Sequence, residues 1–497
     1  MAAELESLEE NHVYRLVPRP KGKKVVKSKW VFTIKFNANG FVEKYKARIV
    51  AKGFSQVEGE DYDQTFSPTV RFESIRQLVA MGASRGLHMH QMDVTTAFLY
   101  APLEEEVYME APDGTCGPGE ADLVWLLLRC LYGLKQAPRG WNQHIDDVLK
   151  GLQFLHLTSD FGLYILGEGR EALYLAIYVD DVFLLCIRLD TIFGVKRGLG
   201  KKYNMKDLGE AKFLVGLEIR RQSDGNVFLV QDKYARDLLT KFGMQVCNSA
   251  ATPLELGVKF YANYEFACES AGIEGVGYKS AMGNLLYLTS GTRPDLAAAV
   301  NSLCRYSQQP GDKHWEGVKR VLRYLKGTVN LGLMYKKRGD LPVIGYSDAS
   351  HGDDVDTRKG RTGYVFLSGG AAVSWKSGLL ETVTHSSCES EYLALSAAGN
   401  EAIYLSQMQK ELGIGGGSVL LLGDNESSLK LAENPVFHKR SKHIEIKYHS
   451  IRERVSKKKI SLQFVKSEDQ AADMLTKPVS FKVLKKNCDL VGLVYEK

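Results

Sequence analysis

Residues 173–187 read LYLAIYVDDVFLLCI, and two adjacent acids, Asp180 and Asp181, interrupt what is otherwise an apolar run. Burying two unpaired carboxylates is costly, so they need a cation. A tight hairpin that places both acids at its tip, facing a divalent metal, resolves the conflict, whereas a single straight strand leaves them buried. An ordinary Asp-Asp turn at a hairpin end is the competing local reading. A third acid, Asp93, ends an apolar strand within residues 88–103, HMHQMDVTTAFLYAPL. Three carboxylates from two adjacent strands make a site for a pair of Mg2+ ions, the arrangement needed to activate a 3′-hydroxyl and stabilise a departing pyrophosphate.

Working outward, residues 19–29 (RPKGKKVVKSK) hold six Lys or Arg and no acid. An alternating stretch follows at 30–36 (WVFTIKF), then Asn39-Gly40, then FVEKYKARIVAKGF at 41–54. A turn dipeptide between two such runs predicts a β-hairpin, here carrying Lys35, Lys44, Lys46, Arg48 and Lys52. Lysines that simply face water are the alternative. A helix is expected over 72–90, strands over 87–94, 163–166 and 172–187, and short strands over 205–230 ending in the turn at 223–226. Residues 231–336 read as helical, with Val318, Val321, Leu322 and Leu325 recurring at i, i+3, i+4 and i+7.

Beyond Gly339 come three strands, a long helix near 387–412, a strand at 418–422, a basic helix near 442–459 and a strand at 460–465, which together predict a self-contained mixed domain. Four acids stand out in it. Asp348 ends VIGYSD, Glu391 opens a helical run, Asp424 ends VLLLGD, and Asp473 lies in EDQAADMLTK. Four convergent acids around two Mg2+ ions can orient water against a phosphodiester.

The 497 residues leave room for about three domains. With 44% hydrophobic and 25% charged residues, global disorder is excluded. A net charge of +6 is too small for a polycation. The eight cysteines are scattered with no C-x-x-C pair, which argues against a zinc ribbon or redox dithiol and predicts reduced, buried thiols. The acidic N-terminus lacks the order of a signal peptide, and no apolar run approaches the ~18 residues of a membrane span. A soluble, intracellular protein is expected.

Between about residues 5 and 330 the chain resembles the reverse transcriptases of copia-type LTR retrotransposons. The matching segments, in family order, are KWVFTIKFNANGFVEKYKARIVAKGFSQ, YDQTFSPTV, QMDVTTAFLYAPLEEEVYMEAP, LYGLKQAPRGW, YVDD, DLGEAKFLVGLEI and HWEGVKRVLRYLKGT. The resemblance implies that Asp93, Asp180 and Asp181 are the metal-binding triad of the palm. It implies that Phe98 blocks the sugar 2′-hydroxyl, that Lys46 or Arg48 holds the incoming triphosphate, and that Tyr132, Gly133 and Lys135 pack beside the nucleotide and template base. Residues 213–218, with Gly216, match the hairpin that grips the primer end, and Lys206 is a candidate proton donor to pyrophosphate.

Residues 340–478, through SWKS, ENPVFHKRSKHIEIKYH and LTKP, resemble the RNase H domain of the same family. This implies that Asp348, Glu391, Asp424 and Asp473 are catalytic metal ligands. Glu391 is preferred over Glu389 by its E-x-x-A spacing to Ala394. Two departures stand out: no histidine lies between Val465 and Asp473, and Gly378-Leu379-Leu380 replaces the usual basic patch after SWKS. His443 and His449 are weak substitutes for the missing histidine.

The implied fold is an α+β multidomain protein, a right-hand polymerase (fingers, palm, thumb and connection) followed by an RNase H-like mixed α/β domain. The expected boundaries are 1–235 for fingers and palm, 236–338 for thumb and connection, 339–480 for the RNase H-like domain and 481–497 for a C-terminal tail. The implied activity is RNA- and DNA-directed DNA synthesis with cleavage of RNA in hybrids, using two Mg2+ per active site, with Mn2+ as an alternative. The implied partners are an RNA template, a DNA primer, an RNA–DNA hybrid and dNTPs, with an integrase or other Pol products besides, and no membrane. Cytoplasm, virus-like particles and nucleus are the compartments it suggests. The rival reading is a catalytically decayed retroelement relic that only binds nucleic acid. No protease, zinc-knuckle or integrase signature is present, so a fragment or cleaved product is expected.

Overall fold

A computed structural model describes residues 1–36, 41–115, 122–262, 272–273, 276–339, 341–434 and 449–496. The Asn39-Gly40 turn, Cys116, Cys268, His443 and the first part, 442–448, of the expected 442–459 helix lie outside the described residues. The helix is described over Ser450–Ser456.

The strands flanking residues 37–40, Ser28–Phe36 and Val42–Ala51, pair antiparallel as the alternation predicts, with Thr33 opposite Lys46 and Val31 opposite Arg48. Two residues apart on one strand, Lys46 and Arg48 share a face.

The palm is a six-stranded antiparallel sheet in the order Met205–Glu210, His88–Val94, Asp181–Cys186, Leu173–Tyr178, Leu163–Leu166, Leu155–His156. Its central hairpin is apolar on both faces because both are covered. Leu173, Leu175, Ile177, Val182, Leu184 and Cys186 join a core with Trp125 and Trp141. Tyr174, Ala176, Phe183 and Leu185 point the other way, toward helix Phe72–Arg85. A continuous apolar run with period-two sorting is what a doubly covered strand requires.

Residues 231–336 are less uniformly helical than the periodicity predicts. Helices Asp232–Lys241, Tyr278–Gly291, Ala297–Cys304 and Asp312–Gly327 form, but Leu331–Tyr335 is a strand. It lies in a five-stranded sheet ordered Phe213–Leu214, Leu217–Arg221, Val227–Val230, Leu331–Tyr335, Leu493–Tyr495. The expected tail at 481–497 is therefore a helix, Phe481–Leu490, followed by the edge strand of this sheet. A boundary at 235 would also cut helix Asp232–Lys241.

The last sheet runs Ala371–Leu379, Arg361–Ser368, Ile344–Ala349, Val419–Gly423, Ile460–Phe464. Its first three strands are antiparallel, and the other two run parallel to the central one, which is the RNase H-like arrangement. Helix Ser387–Glu411 starts where the Ser386 hydroxyl accepts the Glu389 N–H, an N-cap. It packs over the sheet through Leu393, Leu395, Ala398, Ala402 and Leu405.

One core runs without a break from helix Phe72–Arg85 through the thumb-side helices into this domain. At the junction the fully buried Arg76 donates to the carbonyls of Val373 (2.7 Å), Ser290 (2.5 Å) and Gly291 (2.9 Å). Its guanidinium also lies 3.9 Å from the Trp375 ring centroid. Six described cysteines are free thiols, but only Cys130, Cys186 and Cys488 are buried, so the expected burial holds for half of them. Among the described residues no helix is long and apolar enough to cross a membrane.

Candidate functional site

The 173–187 run folds back at a two-residue turn, Val179-Asp180, closed by the Tyr178–Asp181 pair. Val179 has φ +57°, a left-handed conformation that a β-branched residue rarely adopts. Two bonds hold it there: the Trp141 indole N–H donates to Val179 O at 2.6 Å, and Val94 N–H donates to Asp180 O at 2.9 Å. Strain of this kind persists only where the surroundings over-determine it.

On the neighbouring strand Asp93 stands directly opposite Asp181. Directly opposed side chains have Cβ atoms about 4.5–5.5 Å apart. Asp180 adds its carboxyl at the turn, half-buried like the other two. Gln91, on the face of Asp93, donates its side-chain N–H to Asp181 Oδ1 at 2.8 Å. It was not foreseen, although its i, i+2 spacing from Asp93 signals it. Burial pushes the Asp181 carboxyl up to about 6, with Asp180 and Asp93 adding to the rise and the Gln91 bond opposing it. Three carboxylates that offer only oxygen donors suit a hard divalent cation.

Around these acids the fingers and palm meet through stacked side chains. Phe98 lies in the one-turn helix Ala97–Tyr100, its ring centroid 4.8 Å from that of Tyr132. The Arg48 guanidinium sits 4.9 Å from the centroid of the same Tyr132 ring. Tyr132 itself is neutral, burial pushing its phenol up to about 12. Gly133 has φ +94°, and a Cβ there would sit 2.1 Å from Ala51 O, so glycine permits the loop to approach the fingers strand. Lys206 is opposite Asp93 on the outer strand.

Two further expected contact residues, Lys135 and Gly216, are held by their own neighbours. The Lys135 ammonium donates to Tyr62 OH at 3.0 Å and Gln56 O at 3.3 Å, tying down residues 56–62. Gly216 (φ +73°) and Val215 (φ +50°) form the two-residue turn of the Phe213–Leu214/Leu217–Arg221 hairpin. Both need positive φ, as such a hairpin turn requires. Tyr287 OH on helix Tyr278–Gly291 donates to Val215 O at 2.6 Å, fixing this turn to the thumb side.

The second group of acids is tighter. Among the described residues, Asp348, Asp424 and Asp473 offer oxygens that all lie within 4.8 Å of one another. Asp348 is buried at the end of the central strand and accepts from the Thr476 hydroxyl. Asp424 follows strand Val419–Gly423 and accepts from Ser467 Oγ at 2.8 Å. Asp473 opens the short helix Asp473–Thr476. Glu391 flanks the three. Burial first, then Asp348 and Asp424, push its carboxyl up to about 9, while a bond from the Ala349 backbone opposes the rise. Asp348 is raised to about 6, mainly by burial. Glu389 instead accepts the His385 N–H at 2.7 Å as part of the helix cap. His449 bonds the Tyr392 hydroxyl at 2.8 Å.

Lys477 had no assigned role. Its Nζ lies 2.8 Å from Asp473 Oδ1 and 3.9 Å from Asp348 Oδ2. Burial lowers its pKa, but the carboxylates outweigh burial and leave it raised. The i, i+4 spacing from Asp473 was the available signal.

A family model described as reverse transcriptase (RNA-dependent DNA polymerase) matches residues 11–256. The chain is 39% identical over 498 residues to the retrovirus-related Pol polyprotein from transposon TNT 1-94 of Nicotiana tabacum, covering 99% of this chain and 37% of that protein. It is 35% identical over 307 residues to a transposon Ty5-1 protein of Saccharomyces cerevisiae, covering 61% of this chain and 98% of that protein. The chain thus spans about a third of the length of the Pol polyproteins it matches. In fold it is similar to a foamy viral protease-reverse transcriptase, with TM-score 0.50, 11% identity, and coverage of 94% of this chain and 69% of that one. The aspartate hairpin, the fingers motifs around it and these relationships agree: the chain belongs to the reverse transcriptases of copia-type, retrovirus-related Pol polyproteins.

Proposed function

We propose that this chain extends a DNA primer on RNA and DNA templates and cleaves the RNA strand of RNA–DNA hybrids, with two Mg2+ ions at each centre and Mn2+ able to replace them. The opposition of Asp93 and Asp181 across two strands, with Asp180 at the adjoining turn, is the observation that supports it best. The foamy viral protein of similar fold was solved in complex with double-stranded DNA, which fits a duplex partner here.

In this reading Asp93, Asp180 and Asp181 hold the metal at the primer terminus. Bound there, Mg2+ would supply Lewis-acid activation of the 3′-hydroxyl and charge neutralisation at the phosphates. Lys46 and Arg48 neutralise the triphosphate of the dNTP, while Lys206 delivers a proton toward pyrophosphate. The Phe98 ring, braced by Tyr132, excludes the ribose 2′-hydroxyl. In the second centre Asp348, Glu391, Asp424 and Asp473 are the ligands that position water against the RNA phosphodiester. Lys477 balances two of those carboxylates in the metal-free state.

The test is primer extension on an RNA template beside cleavage of a labelled hybrid. Asp180→Asn should lower extension by about 10³-fold and spare cleavage, and Asp424→Asn should do the reverse. Extension that survives Asp180→Asn would sink the polymerase assignment. A wild type that binds hybrid yet performs neither reaction would favour the relic.

A further inference from the structure

Beside the nuclease acids, a cavity of about 320 Å3 opens between the connection and the RNase H-like domain. Lys259, Arg305, Lys359, Arg361 and Lys477 line it against the carboxylates of Asp353 and Asp354. Arg305 pairs with Asp354 and Lys477 with Asp473, which leaves Lys259, Lys359 and Arg361 facing Asp353.

Arg361 is the unusual member. It begins strand Arg361–Ser368 and is 8% exposed. Its guanidinium donates to Asn301 Oδ1 at 2.6 Å, Ser302 Oγ at 2.8 Å and Ser377 Oγ at 3.4 Å, all neutral acceptors. Among the described residues it has no ion pair, whereas the fully buried Arg76 and Arg293 hold Glu73 and Asp295. Burial, and then Arg305, lower its pKa to about 10 against the pull of Asp353 across the cavity, which leaves it charged at neutral pH. A buried charge without a counter-ion is costly, and an arginine fork suits a phosphate. Lys359 stands at the rim, where its ammonium donates to the Glu381 carbonyl at 2.7 Å. The opposite wall includes Thr476 and Lys477, whose side chains touch Asp348 and Asp473.

We propose that this cavity takes a backbone phosphate of the nucleic-acid strand lying across the nuclease centre. The inference rests on the nuclease reading for its placement but is tested by binding alone. A phosphate seated there would supply the direct ion pair that Arg361 does not make with Asp353 and fix how the strand enters the acidic cluster. The connection would then share in recognition, through the helix Ala297–Cys304 residues Asn301 and Ser302 that orient Arg361.

The experiment is fluorescence anisotropy of a labelled RNA–DNA hybrid with the full chain in EDTA, across a salt series. Arg361→Gln and Lys359→Gln should each reduce the slope of log affinity against log salt by about 0.7–0.9, the signature of one lost phosphate contact. Lys430→Gln, outside the cavity, should leave it unchanged. Lys359→Gln decides the matter if Arg361→Gln fails to fold. Unchanged slopes in both cavity variants would overturn the proposal. So would inorganic phosphate raising the Tm of the wild type alone while the hybrid slopes stay equal, since the cavity would then take only free phosphate. Slopes that fall as expected in a protein unable to cleave hybrid would uphold the cavity and reject the nuclease reading.

Discussion

Glu391 and Asp348 carry their carboxyl protons well above the ordinary range, to about 9 and about 6, chiefly because they are buried. The sign of the consequence follows from proton linkage. A carboxyl whose pKa is raised by folding favours the fold below its unfolded value, and that contribution disappears as pH climbs through the folded value. Without divalent ions, Tm should therefore fall as pH rises from about 4.5 toward 9, and Mg2+ should raise Tm more at the upper end of that window. Thermal melts in EDTA and in Mg2+ check this, and Glu391→Gln should flatten the EDTA profile. A wild-type profile as flat as the variant's would show that the acids do not oppose one another. At the centre proposed for DNA synthesis, Phe98 is partly buried against Tyr132, so its shape matters more than its transfer energy. Phe98→Ala should raise the ratio of ribonucleotide to deoxynucleotide kcat/KM by about 10–100-fold, at a cost of about 1–3 kcal/mol in stability. Single-nucleotide incorporation with each substrate reads the first effect, and a denaturant midpoint reads the second.

Among elements, the aspartate hairpin was legible because two acids in an apolar run leave a chain little choice but to turn. The long helix Ser387–Glu411 was legible from its length and start, and the acids at the ends of strands Ile344–Ala349 and Val419–Gly423 from their apolar lead-ins. The pairing of Leu331–Tyr335 with Leu493–Tyr495 was not. Five and three residues are too few for a period to declare itself, and partners some 160 positions apart leave no local trace. The tie of Lys135 to Gln56 and Tyr62 was not legible for a related reason: it depends on how a loop folds back. Glu391 over Glu389 was readable from spacing, but that Glu389 is occupied by the helix cap emerges only from the fold. Removing residues 491–497 should bare the edge of strand Leu331–Tyr335 and uncover sites now filled by Val491 and Leu493, both almost fully buried. The loss should be about 3–6 kcal/mol, with aggregation from the freed strand edge. Denaturation midpoints and light scattering of the truncated chain test it.

At the scale of the molecule, the two centres are joined by a continuous apolar core and by Arg76 within it. Arg76→Met should remove the cation that satisfies the carbonyls of Val373, Ser290 and Gly291 and lower stability by about 3–5 kcal/mol. Both activities should be lost at the same temperature, since one core unfolds as one unit. Separate inactivation temperatures for extension and cleavage would show instead that the domains melt independently. The strand Leu493–Tyr495 gives this unity a genetic meaning. A stop codon at position 491 removes a strand from the sheet that also holds the Val215-Gly216 turn. A copy interrupted there would keep every acid of both clusters yet lose part of the sheet that supports them, so intact acids alone overstate how many copies can work.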